Sequence, residues 1–394
     1  MTMTRRLLAL AVLLSAGVLG LSASVGDAAA LQARIDACGV LGCVVTVEPG
    51  DYTLEQTVNV PTRVELRGAG SATWFHVGGD FCGFQYTGSQ SAIRSISLDA
   101  VSPQQAGGGI CYHQADWNIA TSDILFGHNL AIGVDVAPAQ DNRGVYTLRN
   151  LRWNGVLASG TAVRIGDGVH HVSDVLVDGM SGTADTPAAM DVWVDVLPDT
   201  DTIDLHRLTL IKGWTGVRVG YGGAPTAVTG FSLTDSPAIE TMTDYGVSIV
   251  SAQNARLHNV SVAQSRGGLA IHGGVRGLTA SGLTLHYNQG DGATVFAGAQ
   301  HVTIATSTIA DNNISGSPWG FGVSLGAGLS DFKLLNLTIG NGILWGAGSM
   351  RYCIFLPPGP SKNYSIVGNS CRGATVGKIA DGGTGTPKVV TGNF

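Results

Sequence analysis

Arg149-Asn150-Leu151-Arg152-Trp153 is one copy of a five-residue unit, a small or polar pair followed by apolar–polar–apolar, that recurs along the chain. Further copies read Ser173-Asp174-Val175-Leu176-Val177, His206-Arg207-Leu208-Thr209-Leu210, Thr229-Gly230-Phe231-Ser232-Leu233, His258-Asn259-Val260-Ser261-Val262 and Ser281-Gly282-Leu283-Thr284-Leu285. Weaker copies flank them at Ser95 to Leu98, Ser122 to Phe126, Ala305 to Ile309 and Leu335 to Ile339. Their first apolar positions run from 96 to 337 at gaps of 23 to 33 residues. Self-similarity of that length marks a solenoid built from stacked supersecondary units.

Alternation at every second position describes a strand with one buried face, not a helix. A second strand follows most copies, as in Gly133-Val134-Asp135-Val136, Ala162-Val163-Arg164-Ile165, Gly216-Val217-Arg218-Val219, Gly246-Val247-Ser248-Ile249 and Gly322-Val323-Ser324-Leu325. Short strands joined by Asn, Asp and Gly turns are the parts of an all-β, right-handed parallel β-helix. Each coil is one rung, stacked about 4.8 Å from the next. One rung cannot bury its own apolar face, so about ten or more rungs are expected to share one continuous core.

Residues 1–30 stand outside that pattern. Arg5-Arg6, the apolar run Leu7 to Leu21 and Ala28-Ala29-Ala30 read as a secretory signal peptide with its small-residue cleavage site. Residues 31–394 are then expected to form a single β-helix domain, secreted or periplasmic, with no membrane span once the signal is removed. Charged residues make up 13% of the chain and the net charge is −6, which leaves no basic stripe for a nucleic-acid partner. Six cysteines in an exported chain point to disulfides, and six allow fifteen pairings. Cys38 and Cys43 enclose a short turn, Cys82 and Cys111 lie in matching contexts that would stack on neighbouring rungs, and Cys353 and Cys371 remain.

An open solenoid end must be capped, and Leu31-Gln32-Ala33-Arg34-Ile35-Asp36-Ala37 has the amphipathic pattern of a helix that could do so. It is followed by Pro49-Gly50-Asp51-Tyr52 and Leu66-Arg67-Gly68-Ala69-Gly70. This run resembles the N-terminal segment of the pectin-lyase-like, right-handed parallel β-helix superfamily. The tail from Tyr364 to Asn369 and from Gly385 to Val390 is similar to the last rungs of such proteins. The resemblance spans nearly all of 31–394 and implies the fold, together with a place among secreted polysaccharide enzymes or phage tailspike-like binders. A tailspike-like protein would be a homotrimer in a virion; otherwise a monomer is expected.

If apolar positions point inward, the residues between them form outward columns. On the first strand the column reads Ser97, Leu125, Arg152, Leu176, Thr209, Ser232, Ser261, Thr284, Thr308, Thr338, a largely hydroxyl stripe. The recurring Asn154, Asp178, Asp235, Asn288, Asn312 and Asn341 are assigned to turns. On the second strand the column reads Asp135, Arg164, Trp193, Arg218, with Asp191 and Asp195 on either side of the tryptophan. Three carboxylates, two guanidiniums and an indole suit a saccharide groove. The indole offers apolar area to a sugar face, and guanidiniums pair with uronate or sulfate groups. Asp135, Arg164, Asp191, Asp195 and Arg218 are therefore the candidate catalytic residues. Asp135 is two rungs from Asp195, roughly 10–12 Å, too far for a paired-acid glycosidase. In a β-elimination the arginines would instead stabilise the intermediate. Val192-Trp193-Val194-Asp195-Val196 resembles the Trp-Ile-Asp-His strand of pectate lyases, with Val196 in place of the histidine.

Three long steps between first and second strands predict insertions at 179–190, 235–245 and 312–321, leaving from one corner as a wall beside the groove. They add Glu240, Asp244, Tyr245 and Trp319 to Trp193 as candidate substrate-binding residues, with Glu240 and Asp244 as a rival acid pair. No metal centre is expected. The one stretch able to offer oxygens to Ca²⁺ is Pro198 to Asp204, better read as an Asp-rich turn. The expected function is recognition, with cleavage by a lyase or glycosidase as its enzymatic form, of an extracellular polysaccharide; the alternative is a non-catalytic adhesin or tailspike-like module.

Overall fold

The computed structural model describes Leu19–Gly20 and residues 28–394 apart from 115–116, 143, 155–159, 187–189, 225 and 343–348. Most of the expected signal peptide therefore lies outside the described residues. The architecture is the expected parallel β-helix of about twelve turns. Its strands fall into a 13-stranded sheet and a 21-stranded sheet, every pairing in them parallel. A single apolar cluster runs from Ala28 in the N-terminal helix to Cys371 near the other end. No described helix is long and apolar enough to cross a membrane.

The larger sheet is bent, and backbone conformation explains the bend. One residue per rung adopts the left-handed region: Ser95, Asp123, Asn150, Gly179, Arg207, Asp235, Asn259, Gly282, Thr306, Asn336, Gly368. Asn, Asp and Gly dominate the column because a short polar side chain or none best tolerates φ near +50 to +60°. A second such column lies five residues earlier: Asp174, Thr202, Gly230, Asn254, Gly277, His301, Asp331, Asn363. Each later rung is thus a first arm bracketed by two left-handed residues, a second arm, a corner, and then a strand of the 13-stranded sheet.

Those two columns correct the sequence alignment of the rungs. The repeated pentad marks either bend. At Leu151, Leu208, Val260 and Leu283 it opens the second arm, but at Val175 and Phe231 it opens the first. The hydrogen-bonded register pairs Leu151 with Met180, and Met180 with Leu208, while Val175 pairs with Tyr146. Ser181 and Ala238, not Leu176 and Ser232, accordingly occupy the hydroxyl column beside Thr209. Two expected insertions shrink with the correction, the first of them lying partly outside the described residues at 187–189. Residues 179–183 belong to the strand Val172–Thr183, and 235–242 belong to Val228–Met242. The third survives: 311–322 is a loop between Thr308–Ala310 and Val323–Leu325.

The N-terminal end is closed by a helix over Ala28–Asp36, with Leu31 and Ile35 buried on the first rung. The three alanines expected at the cleavage site form its first turn. Gln32 accepts from the Asn59 amide at 2.7 Å and donates to the Asn59 carbonyl at 3.1 Å. One side chain thereby occupies the open edge of Val58–Val60, the first strand of the 13-stranded sheet. Three disulfides join Cys38–Cys43, Cys82–Cys111 and Cys353–Cys371.

Facing the core at the start of ten strands of the 13-stranded sheet is a further column: Gly83, Gly109, Gly133, Ala162, Trp193, Gly216, Gly246, Gly268, Gly292, Gly322. A Cβ on Gly133 would lie 2.8 Å from the Trp153 ring, and one on Gly216 would lie 2.4 Å from Ile239, so second-arm side chains fill this space. Trp193 is the exception, and room is made for it elsewhere. A Cβ on Gly182 would sit 2.4 Å from its ring, and one on Gly213 would sit 2.9 Å from its indole nitrogen.

Candidate functional site

The sequence places charge on the outward column of the 13-stranded sheet, and the register shows what that column is. It runs Cys111, Asp135, Arg164, Asp195, Arg218, Ser248, Ala270, Thr294, Ser324, Phe355. Asp195, not Trp193, stands between the two arginines. Trp193 is fully enclosed, T-shaped against Trp153, with its indole N–H donated to the Lys212 carbonyl at 2.8 Å. It presents no aromatic plate to a ligand. It stands opposite Ala162, in the core-facing column at the start of these strands, and a bulge just before it skips Asp191, sets Val192 opposite Thr161 and leaves Asp191 exposed beside the ladder.

In the first half of the face the charges are spent on one another. Arg164 donates from Nε and Nη2 to the two oxygens of Asp135 at 2.8 and 2.7 Å, and His113 Nε2 lies 2.8 Å from the same carboxylate. Arg218 grips Asp195 in the same bidentate way at 2.9 and 2.5 Å. Both carboxylates are almost wholly buried. Burial pushes the Asp135 carboxyl up, but the bonds from His113 and Arg164 outweigh it and hold it below the ordinary range. A carboxyl held that way stays ionised and is a poor proton donor. Asp135 and Asp195 are two strand spacings apart, about 9.6 Å, with a guanidinium between them. The geometry is that of rigid guanidiniums presented outward by carboxylates underneath, each keeping Nη1 outside its bidentate pair.

The second half is different, and the sequence reading missed its central residue. Asp291 lies on the corner leading into Ala293–Val295. The corner is set by buried amides. Asn288 accepts from the Ser265 amide at 3.0 Å, and Asn312 accepts from the Asn288 amide at 3.1 Å while donating to the Leu285 carbonyl at 2.9 Å. Three residues past Asn288, the Asp291 carboxyl accepts from the Phe321 amide at 2.7 Å and from the Thr294 hydroxyl at 3.1 Å. Every one of these donors is neutral. Burial therefore dominates, and the carboxyl is pushed up to about 6.

Tyr245 joins this group from two rungs away. Its ring lies over Gly267, where a Cβ would come within 2.4 Å. Burial, then the negative charges of Asp291 and Asp244, push the phenol up and keep it protonated. Asp244 faces Arg266 at 3.9 Å. Glu240 is elsewhere: it pairs in register with Ile211 and Ala263 on the second arm, and its charge acts on His286. The rival acid pair of the sequence reading is thus divided by the corner.

One wall of the face is the 311–322 loop, which carries Trp319, 69% exposed. The Arg351 guanidinium packs 5.8 Å from the Trp319 ring centroid and 6.0 Å from that of Tyr352. Arg351 also donates to the Pro318 carbonyl at 3.3 Å, tying the two loops together. Phe321 and Phe355 stack at 4.5 Å beside them.

In the Asp-rich turn weighed for Ca²⁺, His171 lies 3.2 Å from both Asp199 and Asp201. Among the described residues the cluster with metal-ligand geometry is Cys82, Cys111 and His113, whose two sulfurs are already joined to each other.

Neither a protein-family model nor a curated relative matches the chain. Solved structures do. The A-module of mannuronan C-5 epimerase AlgE4 from Azotobacter vinelandii aligns with TM-score 0.64 at 16% identity, over 95% of this chain and 98% of its own. The catalytic unit of a GH87 α-1,3-glucanase from Streptomyces thermodiastaticus aligns with TM-score 0.60 at 14% identity, over 96% of this chain and 69% of its own. Tailspike protein 3 of bacteriophage CBA120 aligns with TM-score 0.59 at 15% identity; the chain spans 96% of itself and 60% of the tailspike. At these identities the likeness is one of fold.

Proposed function

We propose that the outward face of the 13-stranded sheet recognises an extracellular polysaccharide and that this recognition serves to cleave it. The observation that carries the reading is the pairing, on one face, of clamped guanidiniums at Arg164 and Arg218 with an aromatic wall at Trp319, Tyr352 and Phe355. From Arg164 to Ser324 the face is about 29 Å long by strand spacing, the scale of a polymer segment and not of one small molecule. Arginine and aromatic groups suit the carboxylate and the apolar ring face of a sugar respectively. Structures of similar fold include a mannuronan C-5 epimerase module, an α-1,3-glucanase and a phage tailspike.

The second reading is a non-catalytic binding module, monomeric or trimeric. The clamped state of Asp135 and Asp195 favours it, because neither is poised to move a proton. Three disulfides suit an oxidising compartment, and with the leader-like residues 1–30 they support export to the periplasm or beyond.

The test is a polysaccharide-binding panel run on the full chain and on Trp319→Ala and Arg218→Met variants. Binding that both variants weaken supports the face. Binding that survives both, but is lost when Thr284 and Thr308 are replaced by bulky residues, moves the site to the hydroxyl column of the second arm.

A further inference from the structure

Past the clamped arginines, the outward column of the 13-stranded sheet drops to two small side chains, Ser248 and Ala270. Ser248 stands opposite Arg218 on one side and opposite Ala270 on the other. Its hydroxyl lies 3.3 Å from Nε2 of His272, which follows Ala270 by two residues and so shares its face. The imidazole packs flat on the Phe296 ring, with 4.5 Å between centroids and 14° between planes. A hydroxyl within reach of an imidazole nitrogen is the pairing of a nucleophile with its base.

We propose that Ser248 and His272 form a catalytic dyad that hydrolyses carboxylic esters carried by a polysaccharide, a reading that rests on saccharide recognition by the same face.

The surroundings suit that chemistry. A separation of 3.3 Å is at the loose end for a nucleophile and its base before substrate arrives. Burial holds the imidazole below its ordinary range, against the opposing charge of Asp244, so the ring is neutral and Nε2 can accept a proton. Arg218 is one strand spacing from Ser248, about 4.8 Å. Its Nε and Nη2 are engaged by Asp195, which leaves Nη1 to face the oxygen on which negative charge develops. Among the described residues no carboxylate hydrogen-bonds His272, so the base lacks the third member of a Ser-His-Asp triad. Esters, more easily cleaved than amides, are the acyl groups such a dyad suits.

The step balances with water as the only co-reactant. Ser248 Oγ bonds to the ester carbonyl carbon as its proton passes to His272 Nε2, and the carbonyl electron pair moves onto oxygen. When that pair returns, the bond to the alcohol oxygen breaks and the alcohol takes the proton from His272. A water then attacks the acyl-serine in the same way, releasing the carboxylic acid and restoring Ser248. One water is consumed for each ester.

The probes are O-acetylated mannuronan, methyl-esterified polygalacturonate and a serine-directed fluorophosphonate. Binding of the polymers is followed by affinity electrophoresis, cleavage by released acetic acid or methanol, and labelling by peptide mass spectrometry. The full chain is expected to bind at least one polymer, to release its ester group, and to take the label on Ser248. The product, acetic acid or methanol, tells which ester is the substrate. Ser248→Ala should keep the binding and lose at least about 100-fold in release. His272→Gln should keep the binding, lose as much, and no longer label at Ser248, which a loss of packing alone would not produce. Release at the wild-type rate in Ser248→Ala overturns the proposal, as does undiminished labelling of Ser248 in His272→Gln. Binding without release of either product overturns it while leaving the recognition reading intact. Absence of binding to both polymers overturns both.

Discussion

Arg164 and Asp135 sit on adjacent rungs, opposite each other in the sheet, and meet through two parallel hydrogen bonds of 2.8 and 2.7 Å. The carboxylate is 2% exposed and the guanidinium 34%. Replacing Arg164 by Ala leaves a buried charge without its cation. The expected cost is roughly 3 kcal/mol, the lower end for a broken buried pair because the guanidinium is itself partly solvated. Urea unfolding of the variant checks it, and a loss under 1 kcal/mol would mean that the ladder is ornamental.

The same pair sets an acid limb. The folded Asp135 carboxyl lies below its unfolded value of about 3.9. Its contribution is therefore fully present above that value and is lost as pH falls through the folded one. Arg164→Ala should flatten the dependence of melting temperature on pH below about 4. A variant whose acid limb keeps the wild-type slope contradicts this assignment.

Asp291 has the opposite sign. Its folded carboxyl is pushed up to about 6 from 3.8, so the folded state holds its proton more tightly than the unfolded one. Stability linked to it is present below about 4 and is lost as pH rises to about 6. At pH near 8, Asp291→Asn should be more stable than wild type by about 2–3 kcal/mol, with near parity at pH near 4. The measurement is a pair of melting curves at each pH. A difference independent of pH would remove the protonation account.

Trp193 fills the core, so Trp193→Ala is expected to cost about 3–5 kcal/mol. Trp193→Phe should fold and bind polysaccharide like wild type, because the ring touches Gly182, Gly213 and Trp153 and not the groove. A folded Trp193→Phe with abolished binding would return this residue to the site.

Trp319→Ala makes the reverse split. At 69% exposure its removal should change stability by no more than about 0.5 kcal/mol. Losing one aromatic contact should weaken polysaccharide binding by roughly 2- to 10-fold. Calorimetric titration beside a melting curve separates the two effects.

The solenoid was legible from the pentads alone, because period-two alternation at a spacing of 23 to 33 residues has no other compact solution. So were the outward charges at Asp135, Arg164, Asp195 and Arg218 and the exposed indole at 319. The phase of the rungs was not. Each rung carries two bends, five residues apart, and both select a left-handed residue before apolar–polar–apolar, so the local sequence is the same at either. Hydrogen bonds to the next rung, such as Leu151 with Met180, are what tell them apart.

Trp193 and Asp291 were hidden for related reasons. The corner that opens each of these strands turned the indole inward, opposite Ala162, although by alternation it shares a parity with the outward Asp195. Gly290-Asp291-Gly292 reads locally as a turn. The nearest signal was the 24-residue spacing of Asn288 and Asn312, which marks the corner but not the acid beside it. What raises the Asp291 carboxyl is burial among neutral donors, the Thr294 hydroxyl and the Phe321 amide thirty residues on, with no guanidinium beside it. Alternation along one strand is written in consecutive residues, so the sequence alone determined the coil and its outward charges. A carboxyl's affinity for its proton depends on neighbours brought from other rungs, and that only the stacking of the coils decided.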